Sequence, residues 1–506
     1  MENPYYFQQE EIRRRDAENV LMYAPKHHSP NLIPWPRCPE AEQYVQEQIE
    51  HFLENHTFAR ELQKRMREET STRFTDWVDH VSIPLRPQHL TRLSQTGFTC
   101  RYEHSKQGHG IPYWHPHGDF PDILLHSDPQ TLEVAMKVDS IKDFLISHNR
   151  LDLIDQVEGS RFGKFRRIRI PEGSIILSIV ERRGYKGFTP DTDLEAEEKY
   201  LHAKATWDSR IRDFEPKRET EGMEYTLQLA QKIAEDVGPD LAADIAMASE
   251  REYWTKRNAA ARLQKVRQDR LGLGWANHDH HTFRSSRKHY LTLMKIFQTL
   301  GFKKRERYSP PDADWGAQIF EQPNAGIVIF ADVDLFPEEK EDDFDFSTQK
   351  LPTKRKCFTV GRWCALHGDS ILQAGMHHLE AQFDFDKLET DLKAQDVHMI
   401  DPFSNECDAD NRLFLKQTFT EGEMWPVDQE RLDTALSRRA IGKKTYNAIM
   451  QTRKAVGSVL ENLERNMGYK GFKQEGVSDV LDRVDPKKLA EESEETRRKL
   501  TKTMSS

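Results

Sequence analysis

Asp279-His280-His281-Thr282-Phe283-Arg284 reads as the opening strand of a module, with a histidine pair near its start and a guanidinium at its end. Two-residue alternation turns one histidine inward and the other outward, and it keeps Arg284 on the face of His280. Residues 287–300 follow with Leu291, Leu293, Met294, Ile296, Phe297 and Leu300 at helical spacing, and Gly301 is placed to cap that helix. Three more strands are expected at 303–308, 315–320 and 326–333, separated by Ser309-Pro310-Pro311 and Gln322-Pro323-Asn324, which are turn formers. The predicted order is β-α-β-β-β.

The same order recurs downstream, with a strand at 375–383, a helix at 386–395 and a late strand at 413–419 that runs into Thr420-Glu421-Gly422-Glu423. Two such units side by side enclose a concave pocket, and this arrangement is expected to gather His280, His378 and Glu421. The first half holds a weaker copy. Trp77-Val78-Asp79-His80-Val81-Ser82-Ile83-Pro84 repeats the Asp-His start, but Pro84 stands where the second half has Arg284. A strand and helix around 134–147 and strands at 166–170 and 174–180 complete the copy. Glu133 or Val134 falls opposite His378, and Ile179 or Glu181 opposite Glu421. The first half is therefore read as a structural partner, with a second site of His80, Glu133 and Glu181 as the alternative.

The predicted fold class is α+β, with tandem βαβββ modules forming curved mixed sheets and helical connecting and C-terminal segments. Its expected divisions are a helical or irregular segment (1–74), the degenerate module pair (75–190), a helical connector broken at Gly238-Pro239 (191–272), the site-bearing pair (273–430), C-terminal helices (431–489) and a disordered tail (490–506).

Two imidazoles and one carboxylate occupy one side of an iron(II) or manganese ion and leave the other positions open, whereas a structural zinc site takes four ligands. Each histidine pair also has a plain reading as surface histidines at a strand edge. Glu423 shares the face of Glu421 and is the alternative acid. Arg284 can grip a carboxylate through two parallel hydrogen bonds, or simply pair with a neighbouring acid. His115 and His117, in a Pro- and Gly-rich loop, read better as turn residues than as ligands, and His367 as a loop position beside the second module.

Composition bounds the function. The chain has 506 residues, 37% of them hydrophobic and 31% charged, enough for about two to four domains with their own cores. No run approaches the ~18 apolar residues of a spanning helix, and the N-terminal residues place acids where a signal peptide has an apolar stretch. A net charge of -10 argues against sequence-independent binding to nucleic acid. The five cysteines, Cys38, Cys100, Cys357, Cys364 and Cys407, are scattered and form no C-x-x-C, which reads as reduced thiols in a cytoplasmic protein. The expected partner is a small molecule, with no nucleic acid and no membrane. No dinucleotide fingerprint, P-loop, G-x-S-x-G or H-E-x-x-H is present.

Across residues 275–450 the motifs DHHTFR, HHLE and FTEGEM, followed by the segment 438–450 with Gly442 and Tyr446, resemble the vicinal oxygen chelate superfamily and within it most the 2-oxoadipate dioxygenase/decarboxylase (hydroxyglutarate synthase) family. The resemblance implies metal ligands His280, His378 and Glu421, chosen over His281 and His377 by the family's register, and a substrate-binding Arg284. It also implies iron(II) as the metal, with manganese or zinc as alternatives. The implied reaction is oxidative decarboxylation of a 2-oxo acid by dioxygen, leaving a hydroxy acid. Two departures bear on the substrate: Gln382 stands where the family has an arginine, and Met424-Trp425-Pro426 replaces a Gln-Arg-Gly run. The alternatives are a non-redox lyase, isomerase or epimerase of the same fold, and a binding protein without turnover.

Overall fold

The computed structural model describes residues 33–101, 110–310, 313–341, 344–353, 356–472, 485 and 487. The predicted tail at 490–506 lies outside them. The fold is α+β, two curved mixed sheets with helical segments. The first sheet contains β1 (Val78–Pro84), β2 (Thr99–Cys100), β3 (Ile111–Trp114), β4 (Asp122–His126), β5 (Leu132–Lys137), β6 (Phe165–Glu172) and β7 (Ile175–Arg182), in the order β2-β3-β4-β1-β5-β7-β6. The second contains β8 (His278–Arg284), β9 (Lys303–Tyr308), β10 (Trp315–Gln322), β11 (Ile327–Asp334), β12 (His378–Gln382), β13 (Ser404–Cys407), β14 (Leu413–Phe419) and β16 (Lys454–Arg465), in the order β13-β14-β16-β12-β8-β11-β10-β9, with the short β15 (Glu423–Pro426) paired to β16.

Each sheet joins two modules through an antiparallel pair of their first strands, β1 with β5 and β8 with β12. Within a module the first strand lies parallel to the last, as β8 does to β11 and β12 to β16. The intervening helix makes this possible, because parallel neighbours need a crossover. In the third module that helix is Tyr290–Thr299, with Leu293, Met294, Ile296 and Phe297 buried. It ends before Gly301, whose φ of +78° suits a glycine at a helix terminus.

The fourth module corrects the sequence reading. Its last strand is β16, and the strand at 413–419 is an earlier one that pairs beside it. Between them lie β15 and helices Gln429–Ser437 and Lys443–Thr452. The segment 431–489 therefore does not consist of helices alone. The misreading has a physical cause: Val456, Val459, Leu460 and Leu463 fall at i, i+3, i+4 and i+7, the spacing of an amphipathic helix. A strand in the middle of a sheet covered on both sides buries every position, and β16 is buried from Ala455 to Leu463.

Helices Ala196–Asp208, Glu219–Val237, Pro239–Thr255 and Ala259–Asp269 cover the back of the second sheet. Trp207, Ile233, Ile245 and Trp254 join Phe283, Ile329, Leu379 and Leu460 in one core, each large side chain contributing about 1.5–3 kcal/mol by leaving water. The opposite, concave face carries Tyr308, Trp315, Phe330, Trp363, Trp425 and Phe472. Among the described residues no helix is long and apolar enough to cross a membrane.

Candidate metal centre

Strand alternation sends His281 and Phe283 to the helical layer, and His280, Thr282 and Arg284 to the concave face. His281 Nε2 lies 3.2 Å from Arg251 Nη1 on helix Pro239–Thr255. Antiparallel pairing sets His378 opposite Thr282 and Glu380 opposite His280. Parallel pairing then sets Glu461 of β16 beside Glu380. These two registers bring His280, His378 and Glu461 together, with one donor atom from each within 4.8 Å of the others. Glu461 Oε2 is 2.6 Å from His378 Nε2 and 3.6 Å from His280 Nε2. All three side chains are buried.

Glu421 does not join them. It follows β14 on the exposed surface, and its backbone N–H donates to His398 O. Glu423 accepts instead from the backbone N–H of Ala259. The strand that delivers an acid to this face is the module's last, and the insertion after β14 displaces that strand by about forty residues from the position expected in the sequence.

The surrounding groups orient the donors. His280 Nδ1 hydrogen-bonds Glu380 Oε1 at 2.9 Å, which leaves Nε2 facing Glu461. Gln417 of β14 donates from its Nε2 to Glu380 Oε2 at 2.5 Å and to Glu461 Oε1 at 2.7 Å, tying the two carboxylates together. His378 Nε2 also lies 2.7 Å from Thr282 Oγ1, and its Nδ1 is 2.8 Å from His377 Nδ1. A carboxylate behind a histidine that fixes its tautomer, and an amide holding the acid, is the support that metal ligands need.

Burial opposes a charge on His280, but the Glu380 carboxylate, with Asp279 and Glu461, outweighs it and pushes the imidazole up to about 10. Burial holds His378 well below its ordinary value, and the charges of His280 and Arg284 add to this. Burial raises Glu461, against the attraction of His280. Two imidazole nitrogens and a carboxylate oxygen, in a pocket with a surplus of negative charge, fit a divalent cation such as iron(II), manganese or zinc. His280 must give up its second proton to such an ion.

Arg284 is almost fully buried beside this cluster. Its Nε donates to Asp332 Oδ2 at 3.3 Å, and its Nη2 is buried with no partner. Burial raises Asp332 to about 7, with the Arg284 charge opposing. Gln382 points an amide at Asp279 Oδ1 at 3.4 Å. A guanidinium is present nearby: Arg465 of β16 contacts Asp279 Oδ2 at 3.2 Å and Glu380 Oε1 at 3.7 Å. Sequence reasoning missed Glu461, Glu380, Gln417 and Arg465. The signal available was an isolated acid inside the apolar run Val459-Leu460-Glu461-Asn462-Leu463.

His115 and His367 each have an ordinary backbone partner. His115 Nε2 bonds Thr96 O at 3.1 Å and packs on Phe98 and Phe120, and His367 Nε2 bonds Val456 O at 2.9 Å. In the first sheet Glu181 is engaged by Arg166 and Arg183, and does not approach His80 and Glu133 as a third ligand. A further buried donor group, Glu219, His289 and Asp369, is satisfied internally: His289 Nδ1 meets Asp369 Oδ2 at 2.8 Å and Arg431 donates to Glu219 at 2.8 Å.

No protein-family profile matches this sequence, and no curated protein matches it. Among solved structures the chain is similar to methylmalonyl-CoA epimerase from Mycobacterium tuberculosis, with 11% identity, 38% of this chain and 88% of that chain covered, and a TM-score of 0.20. It is similar also to a mutant of 4-hydroxymandelate synthase from Streptomyces coelicolor, with 9% identity, 81% and 97% covered, and a TM-score of 0.24. A xylose isomerase-like TIM barrel/4-hydroxyphenylpyruvate dioxygenase fusion protein matches at 11% identity over 84% of this chain and 56% of its own, with a TM-score of 0.21. Likenesses this slight do not bear on activity.

Proposed function

We propose that the chain is an iron(II)-dependent dioxygenase that decarboxylates a 2-oxo acid oxidatively and leaves a hydroxy acid, with His280, His378 and Glu461 as the metal ligands. The observation that carries this reading is the convergence of His280 Nε2, His378 Nε2 and Glu461 Oε2 from three adjacent strands onto one concave face. When bound, the metal supplies the redox chemistry that joins dioxygen to the substrate. The chain's own part is geometric and electrostatic. Glu380 retains the proton on His280 Nδ1 and so presents the lone pair of Nε2. Gln417 holds Glu461 by its other oxygen.

Arg284 offers the substrate carboxylate its unpartnered Nη2, and the Asp332 carboxyl, buried beside it, holds or releases a proton near neutrality. Tyr308, Phe330 and Trp363 form an apolar wall that limits water at the site. The test is elemental analysis after anaerobic loading, followed by dioxygen consumption on a panel of 2-oxo acids. About one metal per chain with substrate-dependent dioxygen uptake is the expected result. Metal binding with isomerisation or cleavage but no dioxygen uptake means a non-redox enzyme. Equal, negligible metal in wild type and His280→Ala/His378→Ala overturns the metal site.

A further inference from the structure

The two sheets end in the same way. After β7 the chain reads Gly184-Tyr185-Lys186-Gly187-Phe188, and after β16 it reads Gly468-Tyr469-Lys470-Gly471-Phe472. Both turns begin with a glycine in the left-handed region, at φ +57° and +59°. Each ends by setting its phenylalanine edge-on to the first histidine of its own sheet: Phe188 is 4.9 Å from His80, and Phe472 is 5.5 Å from His280. The lysine of each turn faces a cavity of about 710 Å3 between the sheets, which Lys137 also lines.

The cations of this cavity divide into two kinds. Its arginines are neutralised within the chain: Arg182 by Asp79 at 2.6 Å, Arg465 by Asp279 at 3.2 Å, Arg101 by Asp122 at 3.3 Å and Arg305 by Glu306 at 2.8 Å. Lys137, Lys186 and Lys470 form no ion pair among the described residues. Burial is what chiefly lowers Lys137 and Lys470, and Lys186 adds a smaller repulsion to each. Asp244 and Asp79 attract Lys137, and Asp119 and Glu321 attract Lys470, without direct pairing. Elsewhere in this molecule buried cations are contacted directly, as Arg210 and Arg212 are by Glu250 and Arg287 is by Glu339.

We propose that this cavity is a binding site for a small organic phosphate, gripped by Lys137, Lys186 and Lys470. Three point charges with freely turning N–H groups suit a phosphate, whereas a planar carboxylate is better matched by an arginine fork, and the forks here are already engaged. The volume exceeds what a bare phosphate fills and lies in the range of small-molecule sites. Trp114, Phe120 and Phe472 supply walls for the organic part.

Titration calorimetry of the full chain with pyrophosphate, and with citrate as the carboxylate comparator, tests this. The His378→Ala background keeps pyrophosphate from reporting on a metal instead of the cavity. Saturable, salt-sensitive binding of pyrophosphate in that background is expected, with citrate weaker and with Lys186→Gln or Lys470→Gln lowering affinity by roughly tenfold or more each. Hydrogen exchange on the chain without lysine substitutions gives a second readout: pyrophosphate should protect both Gly-Tyr-Lys-Gly-Phe turns. No saturable binding, tighter binding of citrate, unaltered affinity in folded lysine variants, or protection of neither turn each overturns the proposal. Because the metal is absent throughout, failure here leaves the proposed oxygenase activity untouched, and loss of that activity leaves the phosphate site standing.

Discussion

The Asp-His start of β1 in the first sheet and that of β8 in the second open sheets on one plan, with different chemistry at matching positions. Both sheets carry a bulge just before the histidine, which lets Asp79 reach Arg182 and Asp279 reach Arg465 by the same route. His80 lies opposite Ala135, where His280 lies opposite Glu380, and Ser82 opposite Glu133, where Thr282 meets His378. The last strand sets Ser178 beside Ala135, where Glu461 stands beside Glu380. Ser178 donates to Glu133 at 2.5 Å, so that acid is already satisfied, and His80 leans on Asp79 at 2.7 Å. One framework therefore supports a cluster of two imidazoles and two carboxylates in one place and a closed hydrogen-bonded pair in the other. Three strand positions make the difference: His378, Glu380 and Glu461 stand where the first sheet has Glu133, Ala135 and Ser178.

The strongest way to break the comparison is to remove ligands from both sheets. Alanine at His280, His378 or Glu461 should reduce bound metal from about one per chain to near zero, while His80→Ala and Glu421→Gln leave it unchanged, by elemental analysis of folded protein. Equal losses on the two sides would mean a shared site. Glu380→Gln sharpens the difference to its support: metal affinity should fall about ten- to a hundred-fold in a competition titration, while Ser178→Ala has no effect.

Arg284→Lys probes the position occupied by Pro84 in the first sheet. It should keep its metal but lose about 1.5 to 3 kcal/mol of transition-state binding, read as kcat/KM on an accepted 2-oxo acid at matched metal loading. Unchanged kcat/KM would reduce Arg284 to a partner of Asp332. The smallest expected effect concerns stability. Because Asp332 rises from 3.8 to about 7 on folding, its contribution is full at low pH and is lost as pH climbs through about 7. Wild type should therefore lose about 1–3 kcal/mol relative to Asp332→Asn between about pH 5 and pH 8, in urea denaturation.

Much of this plan was legible in the sequence. Turn formers and a capping glycine marked the third module's elements, and alternation set His280 and Arg284 on one face. Glu421 lies outside the cluster because it follows β14, which is not the module's last strand, and the long insertion before β16 hides that in the sequence. β16 escaped because burial on both of its faces erased the period-two pattern. Glu380 and Gln417 could not be found by pattern at all, since their roles depend on which strands become neighbours, and β14, β16 and β12 are neighbours only through long-range pairing.

The order of strands has a consequence for how the chain matures. β16 lies between β14 and β12, so a later segment separates two that are synthesised before it. During translation β8 and β12 can already pair, carrying His280, His378 and Glu380, yet β13 and β14 have no edge to join until β16 slots in as the keystone. That strand brings Glu461, so the cluster becomes complete in the same event that closes the sheet. On the proposed ligand set the site therefore stays incomplete until β16 joins, and closure over so long a stretch of chain carries a large entropic cost.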